Sequence, residues 1–251
     1  MQGPSTPSTT HLHTAATSTH LSPKISVHIF DYRDDKKTRI QASPNEVRDN
    51  SDVSTNFNLT LAVTGASGAV YTREMLRLLL ADERVHRVHL VVSEHALRVF
   101  AEELGISGRN GLVEKLIGNA DEKISLLAND DIGAPIASGS YPVGAMIVLP
   151  CSMGTLASIA NGLAQKLIER AADVCLKEQR KLVLCVRETP FNKIHLRNMT
   201  LAAEAGATIF PAMPTLYNKP QSTDEMARQF CQRVLAHIGL AQPDAYIWKG
   251  E

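Results

Sequence analysis

Three points in the chain put a small hydroxyl side chain just after an apolar run: Gly65-Ala66-Ser67-Gly68, Ser93, and Ser152-Met153-Gly154-Thr155. If each opens a helix, each offers backbone N–H groups and a hydroxyl where the helix's partial positive charge favours an anion. Taken singly, Ser67, Ser93 and Ser152 also read as ordinary helix N-caps. Three of them at neighbouring strand ends make a phosphate site the better reading. The glycines at 65 and 68 are spaced GxxG, not GxGxxG, which disfavours a dinucleotide and fits a mononucleotide.

A second group of polar residues is set among apolar ones between Leu163 and Pro190. Arg170 and Lys177 are seven apart and share a face if their helix is continuous. Arg187 and Glu188 directly follow an apolar strand, at the same sheet edge as the hydroxyl clusters. A charged pair at the end of a buried strand is costly unless it is used, which marks Arg187-Glu188-Thr189-Pro190 as functional. Glu178, Gln179 and Arg180 read instead as a solvated charged face or an ion pair. His195 is a base or a capping histidine, with nothing to choose between them.

The elements that must position these residues follow from periodicity. Apolar strands are expected at Leu59–Val63, Val88–Val92, Ala145–Leu149, Leu182–Val186 and Ala207–Phe210. Amphipathic helices are expected from Tyr71 to about Asp82 and over Glu94–Glu103, Leu156–Ala172, Ile194–Ala205 and Thr223–Ile238. Continuous apolar strands alternating with helices make an α/β domain, a mainly parallel sheet covered on both faces. In such sheets ligands bind at the carboxyl ends of the strands, where the hydroxyl clusters lie.

Composition narrows the remaining choices. The 26 Lys and Arg balance the 26 Asp and Glu, so no global charge favours nucleic acid or an anionic membrane. No apolar run approaches the ~20 residues of a bilayer span. Residues 1–57 read as a disordered or poorly ordered extension, Ser/Thr-rich at first and then highly charged, with one alternating stretch at Ile25–Phe30. Its first arginine is Arg33, which disfavours an organelle transit peptide, and there is no apolar core of a secretory signal. The domain proper is expected over 58–251. Cys151, Cys175, Cys185 and Cys231 form neither a CxxC nor a zinc spacing, so no metal site is expected. So few cysteines in so long a chain fit a reducing, cytoplasmic setting.

Several motifs carry a resemblance. Ser138-Gly139-Ser140, Met146 through Met153, Arg170-Ala171-Ala172-Asp173-Val174, Leu176-Lys177-Glu178, Arg187-Glu188-Thr189-Pro190 and His195-Leu196 resemble, in colinear order, the UbiX-type flavin prenyltransferases. The resemblance spans 59–240 and implies a Rossmann-like or flavodoxin-like three-layer fold. It also implies reduced FMN and dimethylallyl monophosphate as substrates, metal-independent transfer of the prenyl group to flavin N5 and C6, and delivery of prenylated FMN to a UbiD-type decarboxylase. A homo-oligomer, a dodecamer, is expected. By motif, the flavin would lie against Gly65, Ala66, Ser67, Ser93, Ser152, Met153, Gly154, Thr155 and Arg187. The prenyl phosphate would be held by Arg170, Lys177, Tyr217 and Arg233, under Trp248. Glu188 resembles the family's catalytic acid, and Glu103 an acidic residue near the flavin.

The implied chemistry suits these side chains. An allylic C–O bond breaks to leave a phosphate dianion, which cationic groups and a proton donor stabilise. Arginine binds it bidentately. Tyr217 also reads as a turn aromatic packed beside Pro214 and Pro220. Thr72 stands where the family commonly has glycine, which implies looser packing of the first helix. Ile132 stands near a position where some members carry an aromatic residue. The rival readings are a flavin-dependent cysteine decarboxylase of the same fold, disfavoured because Pro211–Tyr217 lacks an asparagine, and a non-catalytic flavin-binding subunit.

Overall fold

The computed structural model describes residues 57–248. Strands β1 (Phe57–Val63), β2 (Val85–Val92), β3 (Ile124–Leu127), β4 (Ala145–Cys151), β5 (Lys181–Val186) and β6 (Thr208–Ile209) form one parallel sheet, in the order β3-β2-β1-β4-β5-β6. The chain builds outward from β1 to β3, returns to lay β4 beside β1, and continues the other way. The carboxyl ends of β1 and β4 are therefore the switch point, where an open parallel sheet leaves a crevice.

Helices α1 (Ala69–Ala81), α2 (Glu94–Leu104), α3 (Leu112–Ile117) and α7 (Thr223–Ile238) pack with one apolar cluster. Helices α4 (Met153–Ala160) and α5 (Leu167–Lys177) pack with the other, joined by Ala202 of α6 (Lys193–Glu204). Alternation along β1 divides the two: Leu59, Leu61 and Val63 belong to the first cluster and Ala62 to the second. All seven residues of β4 are buried, as expected of the central strand of a doubly covered sheet. No helix among the described residues is long and apolar enough to cross a membrane.

Three sequence expectations need correction. The helix expected over Leu156–Ala172 is two helices: Asn161-Gly162 breaks it, with Gly162 in the left-handed region at φ 68°. Glu169 starts α5 by accepting from Lys166 N at 2.9 Å. The expectation read past β3, whose four residues are all only half-buried and carry neither a clear alternation nor a fully apolar run. Thr72 does not loosen α1, because it is completely buried and its hydroxyl donates to Leu149 O at 3.1 Å. Residues 1–56, with the expected strand at Ile25–Phe30, lie outside the described residues. β1 begins at Phe57, one residue before the expected domain boundary.

Candidate functional site

At the switch point the backbone ladder gives way to a side chain. Pro150 has no N–H, and the β4–β5 register shifts between Val148 and Cys151. The Pro150 carbonyl accepts from Thr64 N at 3.2 Å and from Thr64 Oγ1 at 2.8 Å, and Ser152 N donates to Thr64 Oγ1 at 2.8 Å. Thr64 was not foreseen, although a hydroxyl directly after an apolar strand was the available signal. Ser93 N donates to Val63 O, and Ser93 Oγ caps α2 by accepting from Ala96 N at 3.2 Å. Ser152 Oγ caps α4 by accepting from Thr155 N at 3.3 Å.

Thr64, Gly65, Ser93, Ser152, Gly154 and Thr155 line a cleft of about 620 Å³, within the roughly 300–1,000 Å³ of small-molecule sites. Two helix N-termini open into it, so hydroxyls and amides face part of it where an anion would sit, while Glu94, Asp130, Lys166 and Glu169 add charged groups to its lining. Gly65 packs against His95, the second residue of α2: a Cβ at 65 would overlap His95 Cβ and lie 3.4 Å from Cγ. At Gly154 a Cβ would meet nothing within 4 Å, so this backbone faces open space. Ser67 is exposed and Ala66 buried, while the Met153 side chain belongs to the core, leaving its backbone alone for the cleft. His95 is a lining residue that sequence reasoning missed.

Arg187 and Glu188 follow β5 at this same edge, and Arg187 N donates to Cys151 O at 3.0 Å. Both side chains are exposed, because burial along β5 ends at Val186. The expectation that this pair would be costly to bury is therefore corrected. Glu188 Oε1 accepts from Thr189 N at 2.9 Å, and both residues line a shallow hollow with Phe191, Ala212 and Met213. Arg187 acts on Tyr71, lowering its pKa, but burial dominates and holds the phenol above its usual value.

The other cations lie elsewhere. Helix α5 is continuous through Arg170 and Lys177, as their sharing a face required. Arg170 Nε donates to Ala137 O at 3.1 Å and its guanidinium pairs with Asp173 at 2.7 Å. Lys177 pairs with Glu178 and lies against Gly139, where a Cβ would come 2.5 Å from Lys177 Nζ. Gly139 precedes β4 and Lys177 precedes β5, so this group is at the amino end of the sheet. The seven residues of β4 separate the two ends by about 20 Å at ~3.3 Å per residue. Arg180 is no solvated residue: its guanidinium donates to Tyr141 O at 3.0 Å and to Gly139 O.

Tyr217 and Arg233 line a separate cavity of about 270 Å³, with Asn218, Gln229, Gln232 and Tyr246. Tyr217 is 54% exposed, and its ring meets Tyr246 and Trp248 at centroid distances of 5.6 and 5.8 Å. Glu103 sits at the start of α1, accepting from Gly68 N at 3.0 Å and Ala69 N at 2.7 Å. His195 is a capping residue: its N donates to Asn192 Oδ1 at 2.8 Å and Asn192 N donates to its Nδ1 at 3.4 Å. Ile132 is exposed. One protomer thus brings Arg187 and Glu188 to the sheet edge that carries the hydroxyl cleft, in a neighbouring hollow, but holds Lys177 and the Tyr217–Arg233 pair apart from it.

Comparison with known proteins agrees with this fold. The family model described as Flavoprotein matches residues 47–234. The flavin prenyltransferase UbiX of Halalkalibacterium halodurans is 43% identical over 183 residues, covering 72% of this chain and 88% of that protein. A crystal structure of AnUbiX (PadA1) in complex with FMN and dimethylallyl pyrophosphate is 38% identical with a TM-score of 0.69, covering 78% of this chain and 99% of that one. A dodecameric FMN-dependent UbiX-like decarboxylase from Escherichia coli O157:H7 is 39% identical with a TM-score of 0.68, covering 77% and 100%. With its parallel sheet, its hydroxyl-lined crevice at the switch point and this similarity along most of its length, the chain belongs to the flavoprotein family, among the UbiX flavin prenyltransferases.

Proposed function

We propose that the chain transfers a dimethylallyl group from dimethylallyl monophosphate to N5 and C6 of reduced FMN. The observation that carries this reading is the placing of a cation and a carboxylate at the sheet edge that carries the cleft. Arg187 and Glu188 stand beside Ser152–Thr155, fixed by the bond from Arg187 N to Cys151 O. The cleft fits a flavin mononucleotide: Gly154 leaves the backbone open, and Ser93, Ser152 and Thr155 offer hydroxyls beside helix N-termini. Gly65, Ala66, Ser67, Ser93, Ser152, Met153, Gly154, Thr155 and Arg187 would hold it. Bound and reduced, FMN supplies the nucleophile.

The chain's own residues do the rest. Arg170, Lys177, Tyr217 and Arg233 bind the donor's phosphate and stabilise the charge it gains as the allylic C–O bond breaks. Glu188 moves a proton, to the departing phosphate or from the ring position that loses one, a role worth ~10²–10⁴ in rate. Trp248 covers the donor.

The separation of these cations within one protomer supports an oligomer, since Lys177 at the amino end of one sheet serves a crevice only across a subunit boundary. A dodecamer fits this need. The product would pass to a UbiD-type decarboxylase in the cytoplasm, and the four buried, unpaired cysteines support a reducing compartment.

Anaerobic incubation with reduced FMN and dimethylallyl monophosphate, followed by mass spectrometry of the extracted flavin, tests the reading. A flavin heavier by one prenyl unit supports it. Tightly bound but unmodified flavin overturns it.

A further inference from the structure

The loop that leads into β4 is held from two sides by residues with no place in the reaction described above. Gln179, in the left-handed region at φ 54°, turns the chain sharply after α5. This turn carries Arg180 back across the loop, where its guanidinium bridges the Gly139 and Tyr141 carbonyls. From the sheet, His89 Nε2 meets Tyr141 Oη at 3.0 Å, with the rings edge-on at a centroid distance of 5.3 Å. His89 is 3% exposed and its Nδ1 has no hydrogen-bond partner among the described residues. The ring's polar contact is therefore spent on Tyr141, in a strand position where an apolar residue would cost less. Burial, then the charge of Arg87, holds its pKa below the usual histidine value and keeps the imidazole neutral.

The segment held this way bears on Lys177. Gly139 leaves room for Lys177 Nζ and the Glu178 carboxylate, which pair against it, and Ser138 Oγ and Ser140 Oγ flank it 2.9 Å apart. An ammonium on a four-carbon stem loses precision unless its surroundings are fixed. We infer that Arg180, Tyr141 and His89 form a positioning network that sets the Ser138–Ser140 loop and, through it, the ammonium of Lys177 toward the prenyl phosphate. The inference rests on the prenyltransferase reading for what Lys177 binds. The geometry of the network does not.

Tyr141→Phe keeps the ring and removes the hydroxyl; Arg180→Gln removes the bridge, and Arg180→Lys restores a donor. In the full chain, KM for dimethylallyl monophosphate is expected to rise about tenfold in Tyr141→Phe and Arg180→Gln, a hydrogen bond's worth of misplacement. The FMN Kd and subunit assembly should stay unchanged, and Arg180→Lys should recover part of the loss. A second readout needs no turnover: the 13C-methyl resonance of reductively methylated Lys177, assigned with Lys177→Arg, should move in both variants. If that resonance stays put, or if FMN affinity falls in step with donor affinity, the inference is overturned. A moving resonance in a protein without prenyl transfer sinks the functional reading and leaves the network standing.

Discussion

Thr64 and Ser152 are joined across the switch point: Ser152 N donates to Thr64 Oγ1 at 2.8 Å while that hydroxyl donates to Pro150 O, also at 2.8 Å. One fully enclosed side chain thus replaces the ladder bond that the proline removes and fixes the β1 end relative to the first turn of α4. Thr64→Val preserves the shape and strips both bonds, leaving a backbone donor without its partner. We expect a loss of roughly 1–3 kcal/mol in urea unfolding, together with weaker FMN binding. Unchanged stability would mean that water replaces the hydroxyl.

Gly65 owes its identity to closeness and not to backbone conformation, since the nearest obstacle to a side chain is His95 Cβ. Gly65→Ala should push α2 away from β1, costing about 1–3 kcal/mol as overpacking does, and should reduce FMN retention. His95→Gly opens the same space, at up to ~1 kcal/mol for glycine in a helix. The double variant should therefore be more stable than the sum of the singles. Additive losses in a thermal-unfolding cycle would show that the contact is not what requires glycine.

The legibility of this fold follows burial. Four of the five strands read correctly are buried along the expected run, as β4 is throughout, because a continuous apolar run has few other uses, and the fifth, β6, is a half-buried edge strand. β3, half-buried along its length at the sheet's edge, left no such mark. Ser93 and Ser152 were legible as helix caps at strand ends, and both are. Arg170 and Lys177 read as companions of Arg187, yet Lys177 ends the helix that feeds β5 and so belongs to the opposite end of the sheet; chain order held that placement, but motif grouping passed over it. Arg180 read as solvated because its partners are carbonyls 39 and 41 residues away.

Glu188 is exposed and makes only a local contact, with Thr189 N at 2.9 Å. Nothing in the core leans on it, so Glu188→Gln should leave unfolding within about 0.5 kcal/mol of the wild type and FMN affinity unaltered. Prenyl transfer should fall by ~10²–10⁴, measured by single-turnover quench under anaerobic conditions. Wild-type rates would remove it from the proton-transfer role.

Glu103 offers a contrast. Gly68 and Ala69 present the unpaired N–H groups of α1, and the Glu103 carboxylate takes both, favoured further by the helix dipole. Glu103→Gln keeps an acceptor and loses the charge; Glu103→Ala loses both. Stability should fall in that order, by up to about 2 kcal/mol for alanine. If Glu103 also acts on the reaction, kcat in Glu103→Gln falls much further than its stability. If capping is its whole role, kcat follows the folded fraction.

Asp82 ties the end of α1 to the C-terminal segment. Its carboxylate accepts from Arg84 Nε at 2.8 Å, from the Arg84 terminal nitrogen at 2.6 Å and from Gln242 Nε2 at 2.9 Å. Hydrogen bonding to Arg84, against the opposing effect of burial, lowers its pKa from 3.8 to about 2. A carboxylate whose folded pKa is depressed contributes stability above its unfolded pKa and loses it as pH falls through the folded one. The contribution, on the order of 2 kcal/mol, is therefore complete above pH 3.8 and gone below about 2. His89 acts higher on the scale: its depressed pKa makes the unfolded chain take up the proton first, so stability declines once pH drops below 6.5. Asp82→Asn should be less stable than the wild type at pH 7, and the gap should hold through the histidine window and close only at the acid end. Chemical-denaturation midpoints measured across this range decide it; a gap closing near pH 6 would assign the effect to a group other than Asp82.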